Sequence, residues 1–236
     1  MNRVVVLAGE GEYESNRTMV AVADDVRRQL PDVDVVYRAP DVLEDFPTFP
    51  KSSFGDLTPL READLLVVFT RFRVLPDSEM DELVRYVERG GNVIGLRTST
   101  HAFHFDDESP WAWWNDGFGR DVLGSPWVSH HGHSSSTDVS RIPGEDHAVL
   151  DGIPPEFHVR SWLYRVDLQP DCRPLLQGEA VDPESTPTPS PVAWVRELER
   201  SRVFFTSLGH PDDFVETPFR RLLVNAVRWC LADTGS

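Results

Sequence analysis

The sequence predicts an α/β fold in which helices cover both faces of a mainly parallel sheet. Short and nearly continuous apolar runs, such as residues 3–8 and 63–70, are typical of strands buried on both faces. Between these runs, apolar residues recur at helical spacing. The two patterns alternate as β-α-β-β-α-β over the first hundred residues. This order favours crossover connections between parallel strands.

The elements of this first half follow from local patterns. Strands are predicted over 3–8, 32–38, 63–70 and 92–96, with a polar loop over 9–17 after the first strand. The first helix ends at Pro31, and the second has Pro76 at its first position and ends at Gly90. The apolar faces of the two helices consist of Met19, Val22, Ala23, Val26 and Leu30, and of Met80, Leu83, Val84 and Val87.

The second half is less regular. We expect one short helix near 111–122, extended segments at 138–142 and 158–168, and neighbouring strands at 173–178 and 191–195. The proline-rich stretch 182–191 between those last two strands is predicted to be a surface loop. A strand at 201–209 and a helix with Thr217 as N-cap and Pro218 at its first position complete the chain. No repeat or boundary divides it, which predicts one domain over residues 1–236.

Composition excludes several classes of function. The 23 basic and 39 acidic residues give a net charge of −16, which argues against nucleic acid or a membrane surface as a partner. No segment approaches the about 18 apolar residues of a spanning helix, and the first apolar run is too short for a signal peptide. Cys172 and Cys230 form no motif, so we expect inert thiols and a cytoplasmic protein.

Polar residues concentrate where the predicted strands end. Ligands of open parallel sheets bind at the carboxyl ends of the strands, so the following loops are candidates for one site. They contain Glu10, Glu12 and Tyr13; Arg71 and Arg73; Arg97, Thr98, His101 and His104; and Ser207, His210, Asp212 and Asp213. Each group also has a structural alternative: the arginines in ion pairs, the glutamates near a helix start, and the histidines as hydrogen-bonded core residues.

A second concentration is the run of imidazoles at residues 130–133. His130, His131 and His133 could ligate a metal, because neutral imidazole suits zinc and similar ions. Their spacing matches no established zinc signature. They are therefore tentative ligands of a divalent metal, groups of a substrate-facing loop, or ordinary surface residues. The motifs of serine hydrolases, nucleotide-binding loops and dinucleotide-binding loops do not occur.

These motifs together resemble the trehalose-utilisation (ThuA-like) family. The resemblance covers nearly the whole chain and is carried by "VVVLAGEGEY", "ADLLVVFTRFRVLP", "GGNVIGLRTSTHAF", "HHGH", "LYRV", "PVAW", "VFFTSLGHPDDF" and "FRRLLVNAVRWCL". It implies a flavodoxin-like three-layer α/β/α sandwich of the class I glutamine amidotransferase-like superfamily. It also implies a role in carbohydrate metabolism, on trehalose-type disaccharides or their 3-keto derivatives.

The stretch "GLRTS" can be compared with the catalytic motif of this superfamily. Its amidotransferases carry a catalytic cysteine in "G-x-C-x-G" at the corresponding strand end, with His-Pro-Glu near the C-terminus. Here Arg97 stands in place of that cysteine, and His210, Pro211 and Asp212 stand in place of His-Pro-Glu. An arginine stays protonated and cannot act as a thiolate. The resemblance therefore implies that amidotransferase activity is absent.

Three hypotheses follow. In the first, the protein is an enzyme, a lyase, hydrolase or isomerase of a carbohydrate. His101 or His210 would move a proton, Asp212 would orient the histidine, Arg97 would stabilise an oxyanion, and Glu10 would be a second acid or base. The predicted substrate-binding residues are Glu12, Tyr13, Arg71, Arg73, Thr98, His104, His131 and His133, and the tryptophans that could stack on a sugar are Trp111, Trp113, Trp114 and Trp127.

The second hypothesis is a non-catalytic module that binds a sugar or a partner on a scaffold that has lost its nucleophile. The third is a metal hydrolase with histidine ligands, for which His131 and His133 are the candidates. No cofactor is required by any motif, although a divalent metal is compatible with the third hypothesis. A small-molecule carbohydrate is the expected partner, and a homo-oligomer is compatible with the sequence.

Overall fold

The computed structural model describes residues 1–181 and 188–232. Among these residues, nine strands form one sheet in the order β2-β1-β3-β4-β11-β10-β9-β6-β7, and β5 pairs with β8 beside it. The strands are β1 Asn2–Gly9, β2 Val33–Arg38, β3 Leu65–Thr70, β4 Asn92–Leu96, β5 Ser129–His130, β6 Ser136–Arg141, β7 Glu156–Val159, β8 Tyr164–Arg165, β9 Arg173–Val181, β10 Ser190–Glu197 and β11 Arg202–Thr206. The helices are α1 Ser15–Gln29, α2 Asp77–Glu88, α3 Trp114–Gly117 and α4 Thr217–Leu231.

The first part of the sheet is parallel. Strands β2, β1, β3, β4 and β11 run in the same direction, so their carboxyl ends meet at one edge. These strands are rich in β-branched and aromatic residues, and every residue of β3 is buried. The polar loops that follow them are thereby brought together.

Helices cover both faces of this part. Apolar residues of α1 and α4 pack with Val4, Val67 and Ile94 on one face, in a core that continues to Val139 and Leu176. On the opposite face, α2 and the segment that contains α3 pack against the alternate residues of the same strands. Alternation of side chains along each strand supplies both cores from one sheet.

The remaining strands are antiparallel. Strand β10 pairs antiparallel with β11 and with β9, and β6 pairs antiparallel with β9 and β7. The whole sheet is therefore mixed, whereas the sequence predicted a mainly parallel one. Consecutive strands in this part follow each other without a crossover helix, and such connections produce antiparallel neighbours.

Most predicted elements are confirmed, with corrections at their ends. The β-α-β-β-α-β order of the first half is present, and the predicted neighbours at 173–178 and 191–195 pair as β9 and β10. The polar loop after β1 is shorter than predicted, because α1 begins at Ser15. Pro76 is the N-cap of α2, not its first residue, and the N-cap of α4 is Glu216, not Thr217. Of the loop predicted at 182–191, residues 182–187 lie outside the described residues.

The helices of the described ranges are too short or too polar to cross a bilayer. The predicted single domain over 1–236 stays a prediction.

Candidate functional site

A cavity of about 720 Å³ opens at the carboxyl ends of β1, β3 and β4. The residues after β1 contribute Glu12 and Tyr13, those after β3 contribute Arg71, and those after β4 contribute Thr98 and His101. The rest of the lining is mainly aromatic or histidine: Phe46, Phe72, Phe103, His104, Asn115, Asp116, Trp127, His130, His133, Trp162 and Tyr164. This volume is within the range of sites that bind small molecules.

Arg97 occupies a sharp turn directly after β4. Its φ is +44°, a left-handed conformation that is uncommon for residues other than glycine, and a short 3₁₀ helix follows over Arg97–His101. Gly95, two residues earlier, packs so closely on Leu123 that a Cβ there would lie 2.7 Å from it. A strained residue between a strand and a helix presents its side chain at the end of the sheet.

The guanidinium of Arg97 is fully buried beneath aromatic rings. Its Cζ lies 4.2 Å from the ring centre of Tyr13, 4.9 Å from that of Tyr164 and 5.2 Å from that of Trp162. Nη1 donates to the carbonyl of Ser207 at 2.9 Å, and Nη2 donates to the hydroxyl of Tyr13 at 3.1 Å. The three rings line the cavity and Arg97 does not. The structure therefore places Arg97 behind the wall, where it acts on a ligand only through its neighbours.

His101 is the one predicted catalytic residue that lines the cavity. Its Nδ1 lies 3.2 Å from the hydroxyl of Thr100, and its ring lies beside Phe72 and Trp127. Burial, reinforced by the positive charges of Arg71 and Arg97, lowers its pKa from 6.5 to about 3. The imidazole is therefore neutral at physiological pH and able both to donate and to accept a hydrogen bond.

A cluster of acids and guanidinium groups forms one side of the cavity. Arg71 pairs with Glu12, with Asp45 at 2.9 Å and with Glu10 at 3.4 Å. Glu10 is completely buried, and its carboxylate accepts from the backbone N–H groups of Glu12 and Tyr13. Burial raises the pKa of Glu10 to about 7, against the opposing effect of Arg71. Glu10 therefore lies behind the wall, and Glu12 is the carboxylate of this cluster that lines the cavity.

Arg73 does not line the cavity, although it was predicted to bind substrate. It is 1% exposed, and its guanidinium donates to the backbone carbonyls of Val42, Leu43 and Glu44. Together with an ion pair to Asp45 at 3.3 Å, these bonds use the donors of Arg73 to hold the loop before Phe46.

His210 lies on the far side of Tyr13 and Trp162, at ring-centre distances of 6.3 and 6.5 Å, and does not line the cavity. Burial lowers its pKa. Its predicted partner Asp212 is mostly exposed, and the His210 Nδ1–Asp212 Oδ2 distance is 3.6 Å. In this geometry Nδ1 of His210 accepts from the backbone N–H of Asp212.

The buried carboxylate of this loop is that of Asp213. It accepts from the backbone N–H groups of Arg160, Ser161, Gly209 and His210, and from the Ser161 hydroxyl at 2.5 Å. Sequence reasoning assigned the orienting role to Asp212 and none to Asp213, because which of the two is buried depends on the approach of residues 160 and 161. Asp213 therefore fixes the turn after β11 to the segment before β8.

The imidazoles of 130–133 separate into two positions. His130 and His133 line the cavity, and the ring of His133 stacks on that of Trp162 at 4.0 Å. His131 is 6% exposed, and its backbone N–H donates to the carbonyl of Leu163. Within residues 1–181 and 188–232, no three His, Cys, Asp or Glu side chains are grouped so as to hold a metal ion.

Among the described residues, two buried polar groups of the cavity wall have no protein partner. These are the hydroxyl of Thr98, which is 1% exposed, and the indole N–H of Trp162, which is 8% exposed. An unpaired buried polar group costs about 1–3 kcal/mol.

The predicted tryptophans also divide. Trp127 lines the cavity and is 43% exposed, whereas Trp114 is a core residue and Trp111 donates to Asp77. Trp162 and Tyr164, which sequence reasoning did not select, belong to the stretch "SWLYRV" around β8. A local pattern could not show that β8 approaches the parallel strands.

Comparison with known proteins identifies the family. The model of the ThuA family, described as trehalose utilisation, matches residues 3–230. The chain belongs to the ThuA family. The comparison with curated protein sequences finds no match.

Solved structures show the same fold in other ThuA-like proteins. One from Bacteroides uniformis has 18% sequence identity and a TM-score of 0.62, with 98% of this chain and 92% of that chain covered. One from Parabacteroides merdae has 16% identity and a TM-score of 0.66, with 97% and 89% covered. The β-galactosidase of Bacillus circulans sp. alkalophilus has 13% identity and a TM-score of 0.57 over 97% of this chain but 31% of its own. At these identities the likeness concerns the fold alone.

Proposed function

We propose that this ThuA-family protein acts in carbohydrate utilisation by binding a sugar in the cavity and moving a proton on it. The observation that carries the proposal is that the hydroxyl of Thr98 and the indole N–H of Trp162, both unpaired among the described residues, belong to residues that line one cavity with a wall of aromatic rings. Sugars offer hydroxyl groups on their edges and apolar C–H faces. Such a wall satisfies both, since aromatic rings cover the faces and polar groups bond the edges.

The proton chemistry is assigned to groups that reach the cavity. Glu12 is the proposed proton acceptor, held in place by Arg71. His101, kept neutral by its lowered pKa, donates a hydrogen bond to a substrate oxygen. The substrate class is a trehalose-type disaccharide or its 3-keto derivative, whose carbonyl acidifies the adjacent C–H bond. Arg97, His210 and Asp212 then have no direct contact with substrate.

We propose further that the scaffold is the flavodoxin-like sandwich of class I glutamine amidotransferases, with the nucleophile lost. The strand order β2-β1-β3-β4-β11 of the parallel part and the left-handed φ of Arg97 after β4 support this proposal. Cysteinyl chemistry has no candidate thiolate. Burial raises the pKa of Cys172 to about 11 and raises that of Cys230 further, and neither lines the cavity.

The proposed function is tested by measuring the exchange of substrate protons with solvent. Trehalose and 3-keto-trehalose are incubated with the protein in D₂O, and NMR records deuterium incorporation next to the carbonyl and any cleavage of the glycosidic bond. We expect exchange or cleavage of the keto-sugar by the parent, and a loss of at least about 100-fold in Glu12→Gln, which is the usual effect of removing a general base. His158→Asn, whose exposed imidazole lies outside the cavity, is the control and should retain the parental rate.

A non-catalytic sugar-binding module is the second candidate. The observation that favours it is that only His101, of the five predicted catalytic residues, lines the cavity. Calorimetric binding of either sugar, with neither exchange nor cleavage in the same samples, would support this candidate over the enzyme.

A further inference from the structure

Three features around Arg97 bear on the charge of a ligand that binds in the cavity. The guanidinium is fully buried, and among the described residues its Nε has no hydrogen-bond partner. Asp213, a carboxylate of the loop after β11 that interacts electrostatically with Arg97, already accepts hydrogen bonds from five donors. An arginine remains protonated in proteins. A positive charge that is only partly compensated therefore lies directly beneath one part of the cavity wall.

The groups between this charge and the cavity are oriented as donors. Nη2 of Arg97 donates to the hydroxyl oxygen of Tyr13, which occupies a lone pair of that oxygen and leaves its proton available. In the described ranges, Arg97 is the one hydrogen-bond partner of the Tyr13 hydroxyl. The indole N–H of Trp162, a group that can only donate, and the hydroxyl of Thr98 are unpaired in the same cavity.

The cavity's acids do not cancel this potential. Glu12 is paired with Arg71, and Asp116 is exposed to solvent. The lining histidine with a resolved shift, His101, has its pKa lowered and is neutral.

We infer that Tyr13, Trp162 and Thr98, backed by Arg97, form a subsite for a negatively charged oxygen of the sugar. This inference rests on the proposed function and specifies its substrate: a sugar that carries or develops negative charge on oxygen, as a carboxylate does and as a keto-sugar does when a proton leaves the adjacent carbon. Tyr13 and Trp162 donate hydrogen bonds to that oxygen. Arg97 is a positioning residue that polarises the Tyr13 hydroxyl and holds its ring by a cation–π contact.

The test compares two probes that differ in one group. Maltobionate carries a carboxylate where maltitol carries a hydroxymethyl group. Isothermal titration calorimetry should show maltobionate binding at least about tenfold more tightly, which corresponds to a single charge-assisted hydrogen bond. The ratio of the two dissociation constants is the readout, since a merely structural role of a residue would weaken both probes alike.

Variants identify the residues that cause the preference for maltobionate over maltitol. Tyr13→Phe keeps the ring and removes the donor, so it should reduce the ratio at least about threefold while maltitol binding persists. In Arg97→Met the two dissociation constants should become equal. Arg97→Lys, which restores the charge, should recover part of the preference for maltobionate. Arg97→Met removes a buried charge, so circular dichroism must first show that this variant is folded. If it is not folded, the ratio measured for Tyr13→Phe alone tests the inference. Trp113→Phe, an exposed residue outside the cavity, is the control and should keep the parental ratio.

Equal affinity for the two probes would overturn the inference and leave the proposed function intact. A preference for maltobionate that survives in folded Arg97→Met and in Tyr13→Phe would also overturn it. Binding of neither probe would also overturn the inference, whereas the proposed function is tested separately by the D₂O experiment with trehalose and 3-keto-trehalose.

Discussion

At the scale of single residues, burial shifts the pKa values of two groups near the cavity in opposite directions: His101, which lines the cavity, and Glu10, which lies behind its wall. His101 is kept neutral because burial and the charges of Arg71 and Arg97 oppose its protonation. Glu10 is kept protonated to about neutral pH because burial opposes its ionisation more strongly than Arg71 favours it. Each shift links the stability of the fold to pH with its own sign.

His101 should make the protein sensitive to acid. Its pKa in the fold is below its ordinary value, so from about pH 6.5 downward the unfolded chain takes up a proton that the native chain does not. Stability that is present above pH 6.5 is therefore lost as the pH falls toward 3. Between pH 7 and pH 5 the contribution is at most about 2 kcal/mol. Urea unfolding should show His101→Asn losing that much less stability than the parent over this range, whereas His158→Asn should lose as much as the parent.

Glu10 should have the opposite effect. Its pKa in the fold is raised, so between about pH 4.5 and 7 the native chain retains a proton that the unfolded chain has released. Stability present at pH 4.5 is thus lost as the pH rises to about 7, by about 3 kcal/mol. The free energy of unfolding of Glu10→Gln minus that of the parent should increase by this amount from pH 4.5 to 7.5. A difference that stays constant across the range would contradict the raised pKa of Glu10.

At the scale of elements, the turn between β11 and α4 is held by one carboxylate. Asp213→Asn would direct an amide N–H₂ group toward N–H donors that now point at an acceptor, and the site is completely buried. We expect a loss of about 3 kcal/mol in the free energy of unfolding. Asp212→Asn is the matched control, because this neighbouring side chain is mostly exposed, and should change stability by less than about 0.5 kcal/mol.

Asp212 and Asp213 also show what local sequence patterns can and cannot predict. The strands and helices of the first half were predictable because each needs only the spacing of its own apolar residues. The position of the site was predictable because polar loops at the ends of parallel strands must meet. Which of Asp212 and Asp213 is buried, and whether Arg97 faces the ligand, depends on Ser161, Trp162 and Tyr164, which arrive from a distant and irregular segment. Nothing in the sequence near Arg97 contains that information.

At the scale of the whole molecule, the cavity is lined both from the parallel strands and from a segment of the second half of the chain. Tyr13, Arg71 and His101 follow parallel strands, and Trp162 and Tyr164 come from the segment between the antiparallel strands β7 and β9, where β8 pairs with β5. The parallel and antiparallel parts of the sheet are joined by pairing of β11 with both β4 and β10. A ligand can therefore be held only when both are folded, so a change in either part should affect the whole.

This continuity predicts one cooperative unfolding transition. Leu176 of β9 is fully buried in the core that also contains Val67 and Ile94 of the parallel strands. Leu176→Ala should remove about 2–5 kcal/mol from the free energy of unfolding, through lost burial and the cavity left behind. Because the core is continuous, far-UV circular dichroism and tryptophan fluorescence should report the same lowered midpoint. Leu198→Ala, at an exposed position, should leave the midpoint nearly unchanged. Two separate transitions in Leu176→Ala, with one at the parental midpoint, would show that the parallel part folds independently, and the single domain over residues 1–236 would then have to be divided.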